Sequence, residues 1–316
     1  MKNLNAIKTA KHFNEKWWTE KKIMLRYDKI IPDILKMLKG NFRHIKTKAI
    51  ATNRAYLTCK YICDNYKKNS KVLDMGCGLG FVSHILAIKN YDVIGFDISK
   101  DAVKYASQKA KQLKCNKINF FVDDENYLKK MKTNSIDVAF GLGFVRYLSK
   151  KKEKIFYKNI KRVLKKNGTL IVDQQNDLYE MFALNSDTIS FWSDTISDYS
   201  ENKYLSNFKI NNLLKKKIKL PKRIKASHSI SSKMTVTTEN PLTYNNKLNK
   251  IGFKLEKILY PYCDILPPDI QKNLNENKIE NVQRKFCLKK ADDWRSMFMC
   301  FMFLNFIKKL NKNSRN

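Results

Sequence analysis

The sequence predicts an α/β domain: a mostly parallel sheet with helices on both faces. Between residues 55 and 175, apolar strands of five to nine residues alternate with amphipathic helical segments, and the turns between them are short. A chain of 316 residues with 43% hydrophobic content also has enough apolar surface for one large core or two small ones.

The elements follow in order. The first 50 residues are polar to amphipathic, with Trp17, Trp18, Leu25, Ile30, Ile31, Ile34, Leu35 and Leu38 recurring on common faces. That rhythm predicts a helical N-terminal extension over 1–54. The main domain, 55–316, opens with a helix from Ala55 to Tyr66. KVLDMG (71–76) is the first strand, Phe81 to Ile88 a helix and YDVIGFD (91–97) the second strand. A helix from Ser99 places Ala102, Val103, Ala106, Ala110 and Leu113 on one face. INFFV (118–122) and SIDVAFGLG (135–143) are the third and fourth strands. The helix from Lys152 to Lys166 turns Ile155, Phe156, Ile160, Val163 and Leu164 inward, stops at Asn167-Gly168 and leads to the fifth strand, TLIVD (169–173).

Residues 176–240 break this rhythm and predict an insertion after strand five. Asn240-Pro241 then reads as the N-cap and first position of a helix ending near Gly252. Two further strands are expected, Phe253 to Tyr262 and Trp294 to Ile307, on either side of a polar segment containing Pro267-Pro268.

Composition excludes several classes. Basic residues outnumber acidic ones by 63 to 29, a net charge of +34, but only 9 of the 63 are Arg. Proteins that read phosphate geometry favour the Arg fork. A Lys bias spread along the chain is more simply compositional than a nucleic-acid footprint, although it will attract polyanions. The seven Cys include no CxxC pair, Cys59 and Cys63 sit one helical turn apart, and no His lies near enough for a zinc pattern. They read as small buried hydrophobes in a reducing compartment, and no metal is expected. The N-terminus has no continuous apolar region of the signal-peptide kind. The apolar run from Met297 to Ile307 is too short to span a bilayer. The expectation is a cytoplasmic protein without membrane insertion, its oligomeric state unspecified.

Chemistry concentrates where the first strand ends, in Asp74-Met75-Gly76-Cys77-Gly78-Leu79-Gly80. A glycine-rich strand-to-helix turn lets backbone approach a ligand and presents helix N–H groups. Asp74 stands two positions before the first Gly. The spacing is GxGxG, with Phe81 where the dinucleotide fingerprint would want a further Gly. Asp97 ends the second strand, where a carboxylate can accept both ribose hydroxyl protons.

These residues resemble the class I S-adenosylmethionine-dependent methyltransferases. The first motif of that family is similar to VLDMGCGLG (72–80), and its second-strand acid to Asp97 in VIGFDIS (93–99). Its adenine-side acid is similar to Asp124 in FFVDDEN (120–126), with Asp123 as the alternative register. DVAFGLGFVRYL (137–148) and RVLKKNG (162–168) match its later motifs. The resemblance implies a Rossmann-like, seven-stranded sheet with an antiparallel last strand, and S-adenosyl-L-methionine as cofactor. Asp74, Gly76, Cys77, Gly78 and Gly80 would hold the methionine part, Asp97 and Ile98 the ribose, and Asp124 and Glu125 the adenine, with Gly141 adjoining.

The acceptor is expected at the carboxyl ends of the strands, among the N-terminal helices, residues 144–147 and 173–177, and a lid formed by 176–240. Tyr179, Phe191, Trp192 and Tyr199 would line that lid, and His228 is its candidate general base. His84, on the helix after the glycine turn, reads as structural. NPLTYNNKLNKIGF (240–253), PYCDILPPD (261–269) and DWRSMFMCF (293–301) loosely resemble the tails of methyltransferases from bacterial surface-polysaccharide and small-molecule gene clusters. The implied acceptor is a small molecule, most simply a hydroxyl of a sugar or other metabolite. Two other readings stay open: an RNA methyltransferase, and a non-catalytic scaffold that keeps the cofactor fold. Against base methylation, FGLGFV (140–145) stands where an Asn/Asp-Pro-Pro-aromatic turn would be needed.

Overall fold

The computed structural model describes residues 20–42, 45, 49–186, 188–189, 212–213, 215–216, 236–268, 282–283, 286 and 292–310. Helices α1 (Glu20–Leu38) and α2 (Ala49–Asn65) precede the sheet. Then come β1 (Lys71–Met75), α3 (Phe81–Ile88), β2 (Asp92–Asp97), α4 (Lys100–Gln112), β3 (Ile118–Val122), α5 (Tyr127–Lys130), β4 (Ile136–Gly141) and a single 3-10 turn, Val145–Tyr147. The second half comprises α6 (Lys150–Val163), β5 (Leu164–Asn176), α7 (Tyr179–Ala183), β6 (Thr238–Glu239), α8 (Tyr244–Lys250), β7 (Phe253–Leu259), α9 (Ser296–Met299) and β8 (Met302–Lys309).

The strand order is β3-β2-β1-β4-β5-β8-β7. Strands β1 to β5 are mutually parallel, and β8 enters antiparallel between β5 and β7. The expected seven-strand path with an antiparallel final strand is therefore present. Two-residue β6 adds an eighth strand, pairing parallel with the end of β5 at Gln175 and Asn176. The sheet divides the core. On one side α1 to α4 bury Ile34, Ile62, Ile85 and Ala102 against Val93, Phe140 and Phe306. On the other, α6 and α8 bury Phe156, Ile160 and Leu248 against Leu73, Val172 and Phe303.

Local chemistry sets the element ends. Ser99 caps α4, its hydroxyl accepting from the Ala102 amide at 3.1 Å, and Ser149 does the same for α6 from Lys152. Gly252, at φ +80°, ends α8. Arg162 reaches from α6 to carbonyls at the end of α5, donating to Leu128 O at 2.6 Å and to Met131 O, just past the helix, at 2.7 Å. The basic residue of the RVLKKNG motif thus closes the neighbouring short helix.

Several expected boundaries are corrected. The helix expected from Ala55 begins at Ala49, so residue 54 falls inside it. Helix α6 starts at Lys150, not Lys152, because Ser149 caps it, and it ends at Val163, where β5 begins five residues before the expected Thr169. Ile155 faces solvent at 38% exposure, and Tyr157 and Glu153 take the inward positions instead. The helix placed at Pro241 begins at Tyr244. Asn240 first closes a turn, its Oδ1 accepting from Leu242 and its carbonyl from Thr243 and Tyr244. The strand expected to reach Tyr262 stops at Leu259. The strand expected from Trp294 starts at Met302, since Asp293 accepts from the Arg295 amide and opens α9. Within the insertion, α7 occupies Tyr179–Ala183. Trp17, Trp18, Phe191, Trp192, Tyr199 and His228 lie outside the described residues. Among the described residues no helix is long and apolar enough to cross a membrane.

Candidate active site

The glycine turn hangs between the ends of β1 and β2. The amides of Gly76 and Cys77 both donate to Phe96 O, at 2.9 and 3.0 Å, which splays the chain off β1. Gly80 donates to Cys77 O, and its own carbonyl accepts from His84, so α3 starts at once. Gly76, Gly78 and Gly80 have φ of +70°, +50° and +73°, values an L side chain rarely adopts. Space matters as well. A Cβ on Gly80 would lie 2.7 Å from Phe120 Cζ, and one on Gly76 would lie 2.9 Å from Phe144 Cδ2. Two aromatic side chains, one from β3 and one following β4, therefore cross the turn.

Asp97 fixes this turn from the side. Its Oδ2 accepts from the Gly78 amide at 2.9 Å and its Oδ1 from the Ser99 amide at 2.8 Å. Burial pushes its pKa above the ordinary carboxylate value, while the amides of Ser99, Gly78 and Ile98 pull the other way. Asp74 is more deeply placed. Its Oδ2 accepts from Ser83 Oγ of α3 at 2.6 Å, and burial raises its pKa from 3.8 to about 7, opposed by that hydrogen bond and reinforced by the nearby Asp97 charge. The Cys77 thiol feels the charge of both carboxylates. Burial and both negative charges hold its thiol protonated, in keeping with a small residue that fits the turn.

The remaining expected residues spread around this centre. Asp124 folds the loop after β3, its Oδ1 accepting from the amide and side chain of Asn126 at 2.9 Å. Asp123 accepts from the Asp124 amide and pairs with Lys130. Glu125 pairs with Lys152 of α6. Gly141 ends β4 with room for a Cβ only 3.1 Å from that of Phe144. His84 is structural, as expected. It is buried, its Nε2 lies 2.9 Å from Ala106 O, and burial depresses its pKa from 6.5 to about 4.

A second cluster stands beside the turn at the same end of the sheet. Strand β5 outruns β4, whose last pairing is Gly141 with Val172, so Asp173 projects beyond it, fully buried. Arg54 of α2 pairs with Asp173 Oδ2, and the Gly143 amide donates to its Oδ1. Arg54 and Arg146, both close in charge, together with that amide hold the Asp173 carboxyl below its usual pKa despite complete burial. Residues 144–147 and Asp173 were expected near the acceptor, but neither Arg54 nor the pairing itself was. The available signal was the rarity of Arg in a chain with 54 Lys.

A family model described as a methyltransferase domain matches residues 66–227, just over half of the chain. The chain belongs to this methyltransferase-domain family. A ubiquinone biosynthesis O-methyltransferase of Pelagibacter ubique is 28% identical over 174 residues, covering 55% of this chain and 65% of that protein. The Bacillus subtilis protein YqeM is 30% identical over 115 residues, 36% of this chain and 46% of its own. The chain thus spans less than two thirds of the length of either of these curated relatives. Among solved structures, a SAM-dependent methyltransferase of Methanosarcina mazei is 18% identical with a TM-score of 0.48, covering 79% of this chain and 97% of that one.

Proposed function

We propose that this methyltransferase-family protein transfers a methyl group from S-adenosyl-L-methionine to a small-molecule acceptor, most simply a hydroxyl of a sugar or other metabolite. The observation that carries the reading is the glycine turn held open by Asp97. Three glycines in the left-handed region set the path of the backbone at the head of α3 without side chains, and a carboxylate already accepting two amide protons stands at its edge. That acceptor set suits the paired hydroxyls of a ribose. Asp74 and Cys77 back the turn, and Asp124 with Glu125 follows β3 on the adenine side. S-adenosylmethionine, once bound, supplies a methyl on a cationic sulfur that leaves readily. The protein's part is then mainly to align acceptor and methyl.

A hydroxyl acceptor also needs its proton removed, and His228 is assigned that role. His228→Gln should lower turnover and alter its pH profile while cofactor affinity stays unchanged. A ubiquinone-pathway O-methyltransferase among the relatives supports a small acceptor. The test is calorimetric titration with S-adenosylhomocysteine, with and without short RNA at physiological salt. Binding that ignores RNA is the expected result, and binding strengthened by RNA would favour a nucleic-acid acceptor. Asp97→Ala should abolish cofactor binding while the chain stays folded. Unchanged affinity in that variant would refute the site.

A further inference from the structure

We infer that Arg54 and Arg146, gathered around Asp173 beside the glycine turn, form a binding site for an oxyanion, a carboxylate or phosphate group carried by the acceptor. As a statement about the acceptor this rests on the methyl-transfer reading above; the oxyanion site itself stands on its own geometry.

The first argument is charge. Two guanidiniums face one carboxylate, so the cluster keeps one uncompensated positive charge. Both oxygens of Asp173 are engaged, Oδ2 by Arg54 and Oδ1 by the Gly143 amide. Arg146 is held by the nearness of that carboxylate and by the side chain of Tyr147. Its guanidinium stacks on the Tyr147 ring at 5.2 Å, and its Nε is buried with no acceptor among the described residues. A buried charged N–H without an acceptor is costly to keep, and an arriving oxyanion is the group that would satisfy it.

The second argument is space. An added Cβ on Gly143 would lie 3.4 Å from Arg146 Nη2 and 3.8 Å from Arg54 Nη1, so the two guanidiniums flank a position left without a side chain. Gly143 also has φ +78°, which disfavours any other residue there. Access comes from the Arg54 side, whose side chain is 26% exposed while Asp173 is fully enclosed.

The third argument is position. Phe144, the next residue, lies against Gly76 of the glycine turn. An oxyanion between the arginines would stand one residue along the loop from the place where the methyl donor is proposed to bind. Planar guanidinium forks suit carboxylate and phosphate oxygens better than ammonium groups do, so these two of only nine Arg are chemically distinct from the Lys excess. A purely structural ion pair tying α2 to β5 would explain Arg54 and Asp173. It leaves the buried, unpartnered Nε of Arg146 unexplained.

The experiment is calorimetric titration of the full chain, saturated with S-adenosylhomocysteine, using malonate in one arm and inorganic phosphate in the other. Glycerol serves as the neutral control. The expected result is one saturable anion site per chain, weakened about tenfold or more by Arg146→Gln and by Arg54→Gln, with S-adenosylhomocysteine affinity unchanged. Arg146→Lys keeps the charge without the fork and should fall between. Lys254→Gln, an exposed lysine on β7, should bind like the parent and so removes non-specific attraction to the basic surface. The preferred anion distinguishes carboxylate from phosphate. Absence of saturable binding by either anion, or binding that both glutamine variants leave within about twofold, would overturn the inference. Failure of S-adenosylhomocysteine to bind would instead sink the methyl-transfer reading, and the same titration on the unloaded chain would still decide the anion site.

Discussion

Asp74→Asn isolates the most perturbed acid of the glycine motif. In the folded chain the Asp74 carboxyl has its pKa raised from 3.8 to about 7, chiefly by burial. The folded state therefore holds a proton that the unfolded chain releases near pH 4, and stability falls as pH rises from about 4 to about 7. At 1.36 kcal/mol per pH unit, the complete loss amounts to about 4 kcal/mol. His84 acts in the same window with the opposite sign. Its pKa is lowered from 6.5 to about 4, so it contributes stability that grows as pH rises from about 4 to about 6.5. The parent profile alone would show the two nearly cancelling. The informative quantity is the difference between Asp74→Asn and the parent, measured by urea unfolding at intervals from about pH 4 to about pH 8. Asparagine keeps an oxygen for Ser83 Oγ and cannot ionise, so the variant should gain on the parent by about 3–4 kcal/mol across that range. An unsatisfied carboxamide N–H would shift the whole difference curve without changing its slope. A difference that is flat with pH would mean Asp74 ionises like an exposed acid, and the burial argument would fail.

Three further outcomes follow from the same geometry. Gly80→Ala places a methyl 2.7 Å from Phe120 Cζ at a φ of +73°, and should cost about 1–2 kcal/mol for the backbone alone, read as a lower thermal midpoint. The companion Phe120→Leu/Gly80→Ala variant should recover only the steric part; full recovery would show that the left-handed backbone costs nothing. Arg162→Ala removes the charged hydrogen bonds to the carbonyls in and just after α5, the shortest of them to Leu128 and Met131, and should destabilise the fold by about 1.5–3 kcal/mol in urea unfolding. A cost within about 0.5 kcal/mol, ordinary for a surface substitution, would mean that this cap contributes nothing. In turnover assays, Asp97→Asn should lose cofactor affinity less severely than Asp97→Ala, since its single amide oxygen can still accept from one of the two amides of Gly78 and Ser99; equal losses would place the importance of Asp97 in its charge.

The parts of this protein that were legible in its sequence are those where local chemistry and tertiary packing agree. Helix α3 and the start of α4 at Ser99 are set by the glycine turn and one hydroxyl, both local, and they fall where expected. Expectations failed where a short capping turn or a distant partner overrode the apolar pattern. The apolar run around Trp294–Cys300 has the composition of a strand, but Asp293 folds it into a turn and Trp294 stays 70% exposed. Ile155 has the right spacing for the core, yet α6 rotates Tyr157 inward, where its hydroxyl meets that of Tyr244 at 2.5 Å. No periodicity could reveal that pairing, because its two members lie 87 residues apart.

The site divides in the same way. Asp74, Gly76, Gly78, Gly80 and Asp97 are readable because the turn that gathers them is nearly contiguous, and the step from β1 to β2 is short. Arg54, Gly143, Arg146 and Asp173 come from a helix, a loop and a strand that only the parallel sheet brings together. Their meeting depends on β5 running past the end of β4, a difference in strand length invisible before the register is known. This asymmetry has a physical consequence for specificity. On the proposed reading, cofactor recognition would rest on backbone geometry that tolerates few substitutions. The neighbouring cluster rests on side chains at the tips of separate elements, where one exchange, such as Arg146→Gln, can change the ligand without disturbing the turn. If both proposals hold, methyl transfer and the choice of acceptor are separable in this fold, and variants of the arginine cluster should change selectivity among acceptors while leaving S-adenosylhomocysteine affinity intact.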